Sequence, residues 1–143
     1  MTNLIVLDTS FIIASIISNK DSQILKMAKS GKINLCYSDE TFQELEDALK
    51  KKNNKKQISN NGKVARFVAD YKYNAKRVST TKEVKICRDP KDDKFIDLAL
   101  CANADFIISN DKDLLVLESF NHVKILDPED FFRTSSLYIN QKI

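Results

Sequence analysis

Carboxylates stand just beyond the apolar runs of this chain. Asp8 follows Leu4-Ile5-Val6-Leu7, Asp111 follows Phe106-Ile107-Ile108 by three residues, and Asp89, Asp92 and Asp93 crowd behind a weaker run ending at Cys87. Glu44 lies early in a helical pattern that begins near Ser38. Carboxylates that converge repel one another unless a cation neutralises them. With a single histidine, His122, and no CxxC pair among Cys36, Cys87 and Cys101, the chain has no zinc set. An all-oxygen site instead suits Mg²⁺ or Mn²⁺.

The elements that must position these acids can be read from periodicity. Leu4–Leu7 and Phe106–Ile108 are continuous apolar runs, the mark of strands buried on both faces of a parallel sheet. Residues 33–37, 83–87 and 123–126 are weaker strand candidates. Helical patterns cover roughly 10–18, 21–30, 39–52, 62–77, 90–102, 111–118 and 128–133. Strands alternating with helices predict an α/β fold, three layers deep (α/β/α), around a parallel sheet of about five strands. No repeat or linker divides the chain, so 1–133 reads as one domain and 134–143 as a polar, loosely held tail. In open parallel sheets ligands bind beyond the carboxyl ends of the strands, where these acids fall.

Each acid also has a structural use. Asp8, Asp89 and Asp111 precede helices, and an aspartate cap stabilises a helix by about 1 kcal/mol. Asp89 is the clearest cap, because Pro90 then takes the first helical position, and it is assigned that role. A turn of about 100° per residue from Asp92 puts Phe95, Ile96, Ala99 and Ala102 on its face, with Asp93 and Asp97 outside that apolar arc. A carboxylate on the buried face wants a cation or several donors. Asp92 is therefore the better ligand, and Asp93 is secondary. The same reasoning does not separate Glu44 from Glu46, which flank the stripe of Phe42, Leu45 and Leu49 on opposite sides.

Formal net charge is only +3 over 143 residues, yet it is unevenly placed. Between Lys50 and Lys85 twelve Lys/Arg face two acids, while the other 107 residues carry eleven Lys/Arg and eighteen Asp/Glu. The basic stretch, led by Lys50, Lys51, Lys52, Lys55 and Lys56, is suited to a polyanion; the plainer reading is a solvated lysine-rich helical hairpin. Asp8 interrupts the apolar N-terminus, and no run reaches the roughly 18 apolar residues of a membrane span. Three unpaired cysteines suit a reducing cytosol, so the expectation is a soluble, cytoplasmic protein.

Together, LIVLDTSFI, SDETFQELEDAL, CRDPKDDKFIDLAL and ADFIISNDKDLL resemble the PIN-domain nucleases, and within them the bacterial toxin components of toxin–antitoxin systems. The resemblance runs from residue 3 to about 132. It implies a five-stranded parallel sheet between helices and a Mg²⁺- or Mn²⁺-dependent ribonuclease leaving 5′-phosphate and 3′-hydroxyl ends. It also implies a small antitoxin partner and a homodimer. Carried over by motif, it makes Asp8, Glu44, Asp92 and Asp111 the catalytic acids, with Asp8, Asp92 and Asp111 on metal, and so favours Glu44 over Glu46. Ser10, Ser109, Asp93 and Asp113 become supporting residues. The chain departs from the family pattern at Ser10 (commonly Asn), at Ser109-Asn110 (commonly Thr-Gly) and at Asp93 (usually Asn), without losing a core carboxylate.

Rival readings fit less well. A phosphatase acting through an aspartyl phosphate needs a second Asp two residues after the first, where this chain has Ser10. A receiver domain needs paired acids ending its first strand. A silent RNA-binding module would keep the repulsion of the acids without using it.

Overall fold

The computed structural model describes residues 3–56 and 62–141, with side chains throughout except at 21–22 and 135–141. The leading apolar run forms β1 (Asn3–Leu7), paired in parallel with β2 (Ile33–Tyr37) on one side and β4 (Phe106–Ile108) on the other. Beyond β2 lies β3 (Ala75–Arg77); beyond β4 lie β6 (Val123–Leu126) and then β5 (Ser119–Phe120). Only the β5–β6 pair is antiparallel. Strand order reverses at β1: the chain runs outward from it through β2 to β3, then returns to place β4 on its other side, and such a switch point opens a crevice at the carboxyl ends.

Alternation along the strands divides the core into two layers. Ile5, Leu7, Leu35 and Ile108 pack with α1 (Thr9–Ile17), α2 (Asp21–Lys29), α3 (Asp39–Asn54), α4 (Lys63–Asn74) and Phe131 of α7 (Pro128–Gln141). Val6, Cys36 and Ile107 pack instead with Phe95, Ile96, Leu98 and Ala99 of α5 (Asp93–Ala102) and Leu114 of α6 (Lys112–Leu115). Helices thus cover both faces of a mostly parallel sheet, as the alternating pattern predicts.

Three expectations need correction. Residues 83–87 form no strand. The edge position beside β2 is taken by β3, where the helical pattern of 62–77 stops at Asn74 and Ala75, Lys76 and Arg77 pair with Leu35, Cys36 and Tyr37. Arg77 then grips Asp39 with two hydrogen bonds of 2.8 and 2.6 Å. A sixth strand, β5, was too short to read; it forms a hairpin with β6 through Asn121-His122, Asn121 having φ 55°. The last helix, α7, runs past the helical pattern read at 128–133 as far as Gln141, and residues 142–143 of the expected tail lie outside the described residues. Asp127, whose side chain accepts from Asp130 N–H at 2.8 Å, starts that helix, and propagation adds one backbone bond per residue.

The segment after β3 crosses α5 without strand partners, and carboxylates on α5 take its amides. Asp97 accepts from Lys82 N–H at 2.5 Å and from the Thr81 hydroxyl at 3.0 Å. Asp93 accepts from Ile86 N–H at 3.1 Å and Cys87 N–H at 2.9 Å. Asp97 is buried, against the helical-wheel expectation, because this segment covers a flank that the wheel leaves to solvent.

Hydrogen bonds to a charged acceptor, here the buried Asp97 carboxylate, typically contribute about 1.5–3 kcal/mol. Asp97→Ala should lower stability by that amount in urea denaturation and speed proteolysis within 78–88. Asp47→Ala, on the exposed face of α3, should stay within about 0.5 kcal/mol. Equal behaviour of the two variants would show that Asp97 does not fasten the segment.

Candidate metal centre

Asp8 is the first residue past β1, and its N–H extends the ladder by donating to Ile108 O of β4 at 3.0 Å. It occupies the N-cap position of α1 but makes no capping side-chain bond. Its Oδ2 instead accepts from the Ser10 hydroxyl at 2.6 Å and the Ser109 hydroxyl at 2.5 Å. Each hydroxyl is fixed in turn by a backbone amide: Asn110 N–H donates to Ser10 Oγ at 3.2 Å, and Asp111 N–H to Ser109 Oγ at 2.8 Å. Burial pushes the Asp8 carboxyl above the usual range, and the two serine hydroxyls pull against it. The loop after β4 is thereby tied to the end of β1.

Asp92 closes a single 3-10 turn (Pro90–Asp92) ahead of α5 and is 5% exposed. It too stands at an N-cap position without capping, and its Oδ2 is buried with no hydrogen-bond partner. Among the described residues no other buried side-chain oxygen or nitrogen lacks one. Burial, then contact with Asp111 and the charges of Asp8 and Asp89, push the Asp92 carboxyl up to about 8. An orphaned carboxylate oxygen among acids is a site that a hard divalent cation would satisfy, and the oxygen-only donors fit one.

The other acids divide by what they already hold. Asp111 both caps α6, accepting from Asp113 N–H at 2.9 Å, and presses on Asp92. Asp89 caps the 3-10 turn as expected, accepting from Lys91 N–H at 3.0 Å. It does more than cap, however: oxygens of Asp89, Asp92 and Asp113 all lie within 4.8 Å of one another. Asp8 and Asp111 act on Asp92 through their charge, but the acids drawn within that distance of one another are Asp89, Asp92 and Asp113 rather than the expected Asp8, Asp92 and Asp111. Asp113 is also held by Arg88 at 2.9 Å. Asp93 points its carboxylate at Ile86 and Cys87; those amides overcome its partial burial and hold its carboxyl below the usual range.

Glu44 and Glu46 part company. Glu44 accepts from the Thr9 hydroxyl at 3.0 Å, beside Asp8, and lies 3.6 Å from Lys94 Nζ on α5. Glu46 lines a groove between α3 and α4. Thr9, Arg88 and Lys94 were not singled out in the sequence. Lys94 could have been found, lying two residues beyond Asp92, but a lone lysine in a charged stretch carries no signal of its own. Lys50, Lys51 and Lys52 occupy the last turns of α3, with Lys55 and Lys56 just past it. Lys52 is eight residues from Glu44, roughly 12 Å along the helix axis.

Among the described residues no helix is long and apolar enough to cross a membrane. Comparison with curated proteins finds no match. The fold is similar to the crystal structure of PAE2754 from Pyrobaculum aerophilum, with TM-score 0.62 and 14% identity over 94% of this chain and 90% of that one. A family model described as PIN domain matches residues 4–113, spanning Asp8, Glu44, Asp89, Asp92, Asp111 and Asp113. With that match over most of its length, and with the acids gathered at the β1–β4 switch point, this chain belongs to the PIN-domain family, whose members are generally nucleases.

Proposed function

We propose that the chain is a Mg²⁺- or Mn²⁺-dependent endoribonuclease. The observation that carries this reading is the buried, unpartnered Oδ2 of Asp92 among converging acids. Asp8, Asp92 and Asp111 would hold the cation, with Asp89 and Asp113 close enough to share Asp92. A divalent cation held there supplies Lewis-acid activation of water and offsets charge developing on the phosphodiester. Ser10 and Ser109 orient Asp8 by occupying one of its oxygens. Glu44, held by Thr9 and Lys94, would act from beside Asp8. Lys50, Lys51, Lys52, Lys55 and Lys56 would grip the RNA backbone away from the cut, without reading bases.

The resemblance of the sequence motifs to toxin components extends the proposal: a cytoplasmic toxin that can pair with itself and is neutralised by a small antitoxin protein. An RNA-processing role is the second reading, favoured if an active nuclease proves harmless to its host.

Purified protein should cut RNA with Mg²⁺ or Mn²⁺ and stop with EDTA. Asp8→Asn and Asp92→Asn should each cost about a hundredfold or more, and Glu46→Gln should cost nothing. Induced expression should slow bacterial growth, and Asp92→Asn should relieve it; loss at Glu46 equal to that at Glu44 would overturn the helical assignment.

Stability tests the centre without a substrate. The Asp92 carboxyl is raised from 3.8 to about 8, so the folded state binds its proton more tightly than the unfolded state. Its contribution in metal-free protein is therefore fullest below about pH 4 and is lost as pH rises towards about 8. Asp92→Asn should flatten that slope and raise the melting temperature of metal-free protein near neutral pH. Free Mn²⁺ at 10–100 times its dissociation constant should add roughly 1.4–2.7 kcal/mol to wild type, and little to the variant. A wild-type melting curve indifferent to Mn²⁺ would remove the basis of the proposal.

For the basic stretch, changing the five lysines to Gln should weaken binding to unrelated RNAs alike. The salt dependence should flatten by up to about 0.7 per lost phosphate contact on a single strand. An unchanged slope would return these lysines to a solvated surface.

A further inference from the structure

Beside the carboxylates, between the segment that follows β3 and the start of α5, lies a cleft of about 420 Å³. That is within the range of small-ligand sites, about 300–1,000 Å³. One part of its wall is apolar, built from Val84, Cys87 and Pro90; another carries Lys82, Lys85 and Lys94. We propose that this cleft binds one nucleotide of the RNA, the one adjoining the phosphate to be cut, a role that rests on the nuclease reading above.

The wall's charges decide what it can take. Its three acids are engaged within the protein: Glu40 pairs with Lys82 at 3.1 Å and accepts from the Thr80 hydroxyl, Asp93 holds two amides, and Asp97 holds a third. Lys85 is exposed and makes no ion pair among the described residues. Lys94 has only its 3.6 Å approach to Glu44. Lys85 is thus open to an anion, and Lys94, shared with Glu44, stands beside it in the wall. Burial, reinforced by the Asp93 carboxylate, pushes the Cys87 thiol up to about 12, so that it stays neutral and forms part of the apolar wall. A flat heterocycle against Val84, Cys87 and Pro90, with a phosphate towards Lys85 and Lys94, matches both halves of the cleft.

Position supplies the second argument. Lys94 lines the cleft and reaches Glu44, which in turn bonds Thr9 next to Asp8. Pro90 and Asp93 of the wall flank Asp92 itself. A strand of RNA with one phosphate at Asp92 would carry its neighbouring nucleotide past this wall. The walls are also held without ligand, because Asp93 and Asp97 fix the crossing segment, and such preorganisation favours binding.

The probe is adenosine 5′-monophosphate titrated in EDTA into isotope-labelled protein, read by the amide resonances of Val84, Lys85, Cys87 and Lys94. Those resonances should shift together. Lys85→Glu should weaken binding by about tenfold, and Val84→Trp, which fills the cleft, should abolish it while leaving the Mn²⁺-induced rise in melting temperature intact. Silence at these amides, or shifts confined to Lys50–Lys56, would overturn the proposal. Inorganic phosphate reproducing the full response while adenosine gives none would also overturn it, in favour of a simple anion site. Because no metal is present, the outcome is separate from that of the nuclease reading. A chain that binds the nucleotide here yet cuts no RNA supports the cleft and sinks the nuclease, whereas an active nuclease with a silent cleft does the reverse.

Discussion

Two serine hydroxyls meet on one oxygen of Asp8, and each is itself held by a backbone amide of the loop after β4. This knot joins the carboxyl ends of β1 and β4, strands that are about a hundred residues apart in the chain and adjacent in the sheet. Beyond the ladder and the Asp8 N–H to Ile108 O bond, it is this knot that ties the loop carrying Asp111 to Asp8. Its cost is a buried carboxylate, tolerated because charge-assisted hydrogen bonds offset the lost hydration. Burial and bonding oppose each other at Asp8, and burial prevails, leaving its carboxyl raised.

Among the described residues three aspartates are buried, and they differ in how that burial is compensated. Asp97 has an amide and a hydroxyl to accept from, and acts as a fastener. Asp8 has its two serines. Asp92 leaves one oxygen with nothing, beside Asp111, Asp8 and Asp89. A fold selected for stability alone would not keep that arrangement, since an unpaired buried acceptor costs about 1–3 kcal/mol and neighbouring like charges add to it. Strain of this kind concentrates where a ligand completes the structure. Burial by itself therefore does not identify the centre; uncompensated burial does.

Local pattern was enough wherever one element decided the outcome. Leu4–Leu7 read as a doubly buried strand because β1 is covered on both faces, and Asp92 read as buried because Phe95, Ile96 and Ala99 share its side of α5. The same wheel failed for Asp97, whose cover comes from Thr81 and Lys82, sixteen and fifteen residues earlier. Asp89 was legible as a cap, but its approach to Asp113 depends on how the loop before α5 meets α6. Glu44 and Glu46 could not be separated by helix periodicity, because only the position of Thr9 and Lys94 tells which flank of α3 faces the acids. What escaped the sequence was in each case set by a contact distant along the chain.

The failed strand at 83–87 follows the same logic and bears on function. Its alternation of Val84 and Ile86 resembles a strand, yet β3 already occupies the edge beside β2 and pairs through Lys76 and Arg77. Deprived of a sheet partner, the segment still had amides to satisfy, and Asp93 and Asp97 on α5 supply the acceptors. Side-chain acceptors hold a backbone further from a helix than a neighbouring strand would hold it from a sheet. A cleft remains between residues 80–87 and the start of α5, lined by Pro90, Asp93, Lys94 and Asp97. Lys82, Lys85 and Lys94 of its wall stand against the carboxylates Glu40, Asp93 and Asp97, and the two carboxylates of α5 are those that hold the irregular backbone, so the shape of the wall and its mixed charge have one cause.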